Sequence, residues 1–225
     1  VLRVGSLRVV EGEGDGLSKY AQDWTQVYQH REKGLMGMFK TPGEIFVDVG
    51  AHAGRWTLPM APLFKRVIAF EPNPDSYKQL VENVKKAGLE NVDAFNLAVC
   101  SSSGRHVLFE LDGVPSRSTL YPGFSSLRVT KTHETWPVRL DDVLEYGCYD
   151  GFNMQAGFLK VDVEGSELGV LQGAQETLKR CKPKLCVETH SGNLYQACSS
   201  LLKSIDLPFT TYTLKKDRHR YILRT

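Results

Sequence analysis

The chain has 225 residues, 41% hydrophobic and 24% charged, which is the composition of a folded globular protein and excludes a disordered or fibrous one. Its 28 basic and 26 acidic side chains leave a net charge of +2, too little for a strongly cationic surface that wraps duplex nucleic acid. A core of this size needs no disulfide or metal staples. The five cysteines (100, 148, 181, 186 and 198) are odd in number and form no CxxC pair, so the expectation is reduced thiols without a zinc or redox motif.

In chain order, Val1-Leu2-Arg3-Val4 lacks the basic, apolar and small-residue regions of a signal peptide, and the cytoplasm is the expected compartment. Residues 1–43 hold one helical pattern, Ser18 to Tyr28, and read as a segment capping the core. The uncharged stretch Trp56 to Phe64 is half the length of the ~18 apolar residues that suggest a membrane span. Strand patterns fall at Ile45–Val49, Val67–Phe70, Val92–Leu97, Phe158–Val161 and Lys184–Val187. Helical patterns fall between them at Trp56–Phe64, Pro74–Ala87, Leu168–Arg180 and Leu194–Ile205. That alternation predicts a parallel sheet covered on both faces. Phe209–Leu214 and His219–Leu223, joined by Lys215-Lys216-Asp217-Arg218, predict a closing antiparallel hairpin. Residues 101–141 break the alternation: a strand pattern at Val107–Leu111, a Gly/Pro/Ser-rich stretch from Asp112 to Ser126, and another strand pattern near Val138. They read as an insertion before a helix beginning near Leu140. With no long linker, 1–225 is expected to be one domain.

The chemistry concentrates at strand ends. Phe46-Val47-Asp48-Val49-Gly50-Ala51-His52-Ala53-Gly54 is a strand entering a glycine turn and then a helix, where backbone can approach a ligand and helix N–H groups suit an anion. The spacing is GxxxG, so the GxGxxG dinucleotide fingerprint is absent. Glu71 ends the second strand, where an acid beside the switch-point crevice accepts both hydroxyls of a ribose. An acid at Asp48 next to the turn suits a ligand with an ammonium group better than a pyrophosphate, which points to S-adenosylmethionine. Asp162 ends the fourth strand and faces the same crevice, with Lys160 on its face at period two. Glu164 and Glu167 read equally as helix-capping acids. Glu188 and His190 end the neighbouring strand, where an acid and an imidazole can bind an acceptor or take its proton. Asp162, Glu188 and His190 also have the oxygen and nitrogen donors of a divalent ion, although no residue is assigned to a metal.

The series FVDVGAHAG, AFEPNP, NLAV, VRLDDVL, LKVDVEGSELGVLQGA and CVETH resembles the FkbM family of methyltransferases over about residues 44 to 190. The resemblance implies an α/β, Rossmann-like class I methyltransferase fold, with a seven-stranded mostly parallel sheet of order 3-2-1-4-5-7-6. It also implies O-methylation of hydroxyls on sugars, glycans or other natural products, with S-adenosyl-L-methionine as cofactor and S-adenosyl-L-homocysteine as product. Carried over, Asp48, Gly50 and Gly54, with Ala51 and His52 in the same turn, frame the methionine half. Glu71 binds the ribose, while Pro72, Leu97 and Ala98, with Asn73 alongside, lie near adenine. Asp162 lies near the methionine amine and the acceptor. His52 departs from the family's usual Asn. Asp162, Glu188 and His190 are the catalytic candidates, and Ser116 to Tyr121, including Arg117, the candidate acceptor loop. Two other readings remain: an RNA or protein methyltransferase, the former through Lys215, Lys216, Arg218, Arg220 and Arg224, and a non-catalytic nucleotide-binding domain.

Overall fold

A computed structural model describes residues 35–39, 41–124, 126–146, 155–213 and 220–225. The expected helix at 18–28, the hairpin loop at 215–218 and Cys148 lie outside them.

Seven strands form one sheet. β1 (Gly43–Val49), β2 (Phe64–Phe70) and β3 (Val92–Phe95) come first, followed by β7 (Ala156–Val161), β8 (Lys184–Thr189), β9 (Thr210–Thr213) and β10 (Arg220–Arg224). Their order is β3-β2-β1-β7-β8-β10-β9. Pairing is parallel from β3 through β8, and β10 runs antiparallel to both β8 and β9. Numbered within this sheet alone, that is the expected 3-2-1-4-5-7-6. β1 is the strand from which the chain winds outward in both directions, so the crevice lies beyond the carboxyl ends of β1 and β7.

Continuous apolar runs such as Phe46–Val47 and Val67–Phe70 form strands because both faces of a parallel sheet are covered. One side packs Val47, Ile68, Leu159 and Val187 beneath helices that include α4 (Glu167–Gln172), α5 (Gln175–Cys181) and α6 (Gly192–Ser204). The other packs Phe46, Phe158, Trp56 and Tyr221 with Leu35, Met36 and Phe39. Phe158 stacks on both Phe39 and Phe46, with ring centroids 4.5 and 4.8 Å apart.

Three elements depart from the sequence reading. The helix expected at Trp56–Phe64 is only α1 (Thr57–Met60) followed by a 3-10 turn at Ala61–Leu63, as two prolines in this stretch remove backbone donors. The helix expected at Leu168–Arg180 is broken into α4 and α5 at Gly173. A Cβ there would lie 2.2 Å from the Cys100 carbonyl oxygen, so backbone passes where a side chain would stand. The insertion is a three-stranded antiparallel sheet of order β5-β4-β6, formed by β4 (His106–Leu111), β5 (Val114–Thr119) and β6 (Val129–Thr135). The Gly/Pro/Ser-rich stretch therefore contains a strand, and Val138 makes only an isolated bridge to Val99. The remaining helices are α2 (Pro74–Lys86), matching its expected bounds closely, and α3 (Leu140–Tyr146). Among the described residues, no helix is long and apolar enough to cross a membrane.

Candidate active site

The tip of β1 is built around a buried charge. Asp48 is fully buried and accepts a 2.7 Å hydrogen bond from the Thr57 hydroxyl at the start of α1. Its other carboxylate oxygen lies 3.2 Å from Lys160 Nζ. The same ammonium, 4% exposed, donates to the Gly50 carbonyl at 2.7 Å and lies 3.8 Å from Asp162 Oδ2. The ammonium group that Asp48 meets therefore belongs to the protein. This corrects the direct contact expected between Asp48 and a ligand amine, and it gives Lys160 a role that period-two spacing only hinted at. Lys160 ties the glycine turn on β1 to the acid at the tip of β7.

The turn itself is spent inward. Gly50 and Ala51 both donate their N–H groups to the Phe70 carbonyl, and His52 donates to Glu71 Oε2 at 2.7 Å. These amides do not point out toward an anion, contrary to the helix-terminus reading of the motif. Gly50 has φ +79°, and a Cβ on it would fall 1.8 Å from the Asp162 carbonyl oxygen. His52 has φ +49°, a left-handed conformation in which Asn, Asp and His are enriched. Burial, with the charges of Arg55 and Lys160, lowers His52 to about 4, so its ring is neutral. Gly54, also left-handed, accepts the Leu58 N–H.

Glu71 ends β2 with each oxygen holding one backbone donor: His52 N on Oε2, and Asn73 N on Oε1 at 2.8 Å. Burial raises its pKa to about 7 against the pull of these hydrogen bonds. The Asn73 side chain is fully used within the protein. Its Oδ1 caps α2 through Asp75 N and Ser76 N, and its Nδ2 reaches Glu110 and Ser118 of the insertion. Asn73 thereby anchors the β4–β6 sheet beside the site, leaving only its backbone next to Glu71. Asn96, which the sequence reading missed, donates to the carbonyls of Glu71 and Pro72 at 2.9 and 3.0 Å and fixes the β2 tip. Leu97 packs against the core, and Ala98 accepts the Val138 N–H.

On the acceptor side, Asp162, Glu164 and His190 converge. His190 Nε2 is 3.6 Å from Asp162 Oδ1 and 3.5 Å from Glu164 Oε2. Its Nδ1 lies 2.6 Å from Glu167 Oε1, which also takes the Gly165 N–H at 2.9 Å. Glu167 is thus both the first-turn acid of α4 and the partner of His190. Burial opposes a charge on His190, but the Glu167 hydrogen bond and the fields of Glu164, Glu167 and Asp162 outweigh it and raise its pKa to about 10. Burial, together with neighbouring carboxylates, raises Glu164 to about 7 despite the imidazole charge. The imidazole is thereby held by three carboxylates of the protein itself. Glu188 lines a small crevice with Leu35, Trp56, Lys160, Asp162 and Tyr221. Of the expected acceptor loop, Ser116 to Thr119 lie in β5, Arg117 pairs at 3.8 Å with Asp112, and Tyr121 is exposed with its hydroxyl 3.8 Å from Cys100 Sγ.

Residues 48–218 match the model of the methyltransferase FkbM domain. The chain belongs to the FkbM methyltransferase family. The match runs past the sequence motifs, which end near residue 190, and takes in α6 and β9. The hexuronic acid methyltransferase AglP of Haloferax volcanii is 29% identical over 174 residues, covering 77% of this chain and 67% of that protein. An FkbM methyltransferase crystal structure from Methylobacillus flagellatus KT superposes with a TM-score of 0.59 at 18% identity, covering 81% of this chain and 44% of that one. The chain thus spans about two thirds of the first relative and less than half of the second. A putative methyltransferase from Streptococcus mutans in complex with S-adenosylhomocysteine gives a TM-score of 0.51 at 12% identity, covering 94% of this chain and 98% of that one. These likenesses confirm the class I fold. Of the basic residues considered for RNA contact, Arg220 lies over the Tyr195 ring and Arg224 donates to the carbonyls of Lys182 and Pro183.

Proposed function

We propose that this FkbM-family chain is an S-adenosylmethionine-dependent O-methyltransferase acting on a hydroxyl of a sugar, glycan or other small natural product. The observation that carries the reading is Glu71. A carboxylate has about four lone-pair sites, and Glu71 uses one on each oxygen for backbone N–H groups. One site per oxygen remains for a vicinal diol such as ribose. The missing Cβ of Gly50, against the Asp162 backbone, lets the β1 and β7 tips close to the spacing of such a cradle. These residues fit the cofactor. The Haloferax relative, a hexuronic acid methyltransferase, supports a sugar acceptor.

When bound, S-adenosylmethionine supplies a methyl group on a sulfonium, which an acceptor oxygen displaces in line to leave S-adenosylhomocysteine. Positioning then supplies most of the catalysis. Glu71 holds the ribose end. Lys160 fixes the Gly50 turn, and Asp48 acts through Lys160 and Thr57. Asp162, at the β7 tip, orients the acceptor near the methionine amine. His190 holds Asp162 and Glu164 in place, and the base role passes to Glu188, which faces the crevice beside Asp162.

Calorimetric titration with S-adenosylhomocysteine tests the cofactor. Wild type is expected to bind and Glu71→Gln to lose most of the affinity, with both folded by circular dichroism. Transfer of labelled methyl to uronic-acid oligosaccharides, with an RNA transcript in parallel, tests the acceptor. Saturable cofactor binding with labelling of RNA alone would overturn the O-directed small-molecule reading. Absence of binding to wild type at millimolar ligand would overturn the cofactor assignment.

A further inference from the structure

We propose that Asp162, Glu164 and His190 bind one divalent cation of the Mn²⁺ class, seated where it would hold the acceptor's oxygens. The inference rests on the methyltransferase reading only for what the ion does, not for its presence. Sequence spacing grouped Asp162 and His190 with Glu188, whereas the fold brings Glu164 to them.

Four observations converge. The three donor atoms lie within 4.8 Å of one another, with His190 Nε2 3.6 and 3.5 Å from its two carboxylate neighbours. Those separations exceed the ~2.7–3.2 Å of an N–H···O hydrogen bond. They leave room for an ion among the three donor atoms, which need draw in only slightly to ligate it. Next, His190 Nδ1 is engaged by Glu167 at 2.6 Å, and Glu167 is itself held by Gly165 N, so the ring is aimed with Nε2 toward the two carboxylates. A buried carboxylate behind an imidazole is the usual support for a metal-bound histidine.

Charge is the third observation. Glu167 is fully buried, and its Oε2 has no hydrogen-bond partner among the described residues. Its charge, with those of Asp162 and Glu164, surrounds the imidazole of His190. The nearest ammonium, Lys160, sits closer to Asp48 and the Gly50 carbonyl than to Asp162. A divalent cation that takes the place of the Nε2 proton compensates three carboxylates at once. Finally, the cluster stands at the tips of β7 and β8, beyond the cofactor-side residues Gly50 and Glu71. Two carboxylates and one imidazole leave coordination positions open, as a site that binds substrate requires. The set suits Mn²⁺, which accepts both oxygen and imidazole donors. A vicinal diol, or a sugar carboxylate with its neighbouring hydroxyl, would complete the shell.

Titrating Mn²⁺ into the full chain, read by calorimetry and by loss of the free-ion paramagnetic resonance signal, tests the site. One equivalent is expected to bind. Glu167→Gln should weaken it by about 10–100-fold, and Glu164→Gln and His190→Gln, which remove ligand atoms, should each weaken it more. S-adenosylhomocysteine titrated into the same samples separates the two readings. If the nucleoside binds but millimolar Mn²⁺ does not, the cation site falls and the methyltransferase reading stands. If Mn²⁺ binds with unchanged affinity in a folded Glu164→Gln variant, the site is misplaced and the proposal also falls. If Mn²⁺ binding needs Glu164 and His190 while the nucleoside fails to bind, the cation site stands and the cofactor assignment fails.

Discussion

Replacing Lys160 by Met keeps the aliphatic stem and removes the ammonium from a site where Asp48 is fully buried. At 3.2 Å and an effective dielectric near 20, the Lys160–Asp48 attraction is about 5 kcal/mol. That figure is not the net value of the pair, because both charges were desolvated to form it. The cost of breaking it is nevertheless large, since an uncompensated carboxylate is left in the core: about 3–5 kcal/mol. At roughly 2–4 °C per kcal/mol for a chain of this size, Lys160→Met should lower the melting temperature by roughly 10 °C. Asp48→Asn in the same background keeps the acceptor for Thr57 and removes the stranded charge, so the double variant should recover most of the loss. Urea unfolding of wild type, both single variants and the double variant closes the cycle. A loss under about 1 kcal/mol for Lys160→Met, or strict additivity in the double variant, would refute the buried clamp.

Gly50→Ala places a methyl 1.8 Å from the Asp162 carbonyl and forces a left-handed alanine, so a loss of about 2–5 kcal/mol and of nucleoside binding is expected from unfolding and titration. Asp141 caps α5 from outside the helix by accepting Glu176 N and Thr177 N; Asp141→Ala should cost about 1–2 kcal/mol in chemical unfolding, and Asn less. Because burial raises Glu71 to about 7 and the diol needs the ionised form, S-adenosylhomocysteine affinity should fall about tenfold between pH 8 and 6. In Glu71→Gln that step should vanish; an equal step in both would assign it elsewhere. Glu188→Gln should lower kcat by about 10²–10⁴ with nucleoside affinity unchanged, and a near-normal kcat would remove Glu188 from the base role.

Much of the fold was legible because its signals are local. Apolar runs at Ile45–Val49, Val67–Phe70 and Phe158–Val161 declare strands buried on both faces, and the Asn73-Pro74 step declares the start of α2 through a side-chain cap and a first-turn proline. The carboxylates at strand ends were legible for the same reason, since polarity at the end of an apolar strand marks the sheet's edge. What tertiary structure alone decided is where those charges point. Period two placed Lys160 and Asp162 on one face, but only the pairing of β1 with β7 sets the ammonium against Asp48 and the Gly50 carbonyl. β5 follows β4 through the two-residue turn Asp112-Gly113, a local hairpin signal masked by the Gly/Pro/Ser content of the stretch, whereas the break at Gly173 depends on the Cys100 backbone, which is far away in sequence. The same holds for the cluster on His190. Glu164 lies in the loop after β7 and turns back at φ +50°, while Glu167 is buried by packing of α4 against β8 and α6. Local pattern sets which residues form strands and helices, because backbone propensity and burial act over a few positions. The partners of a charge are set by contacts between strands far apart in the chain, and those contacts exist only once the sheet has formed.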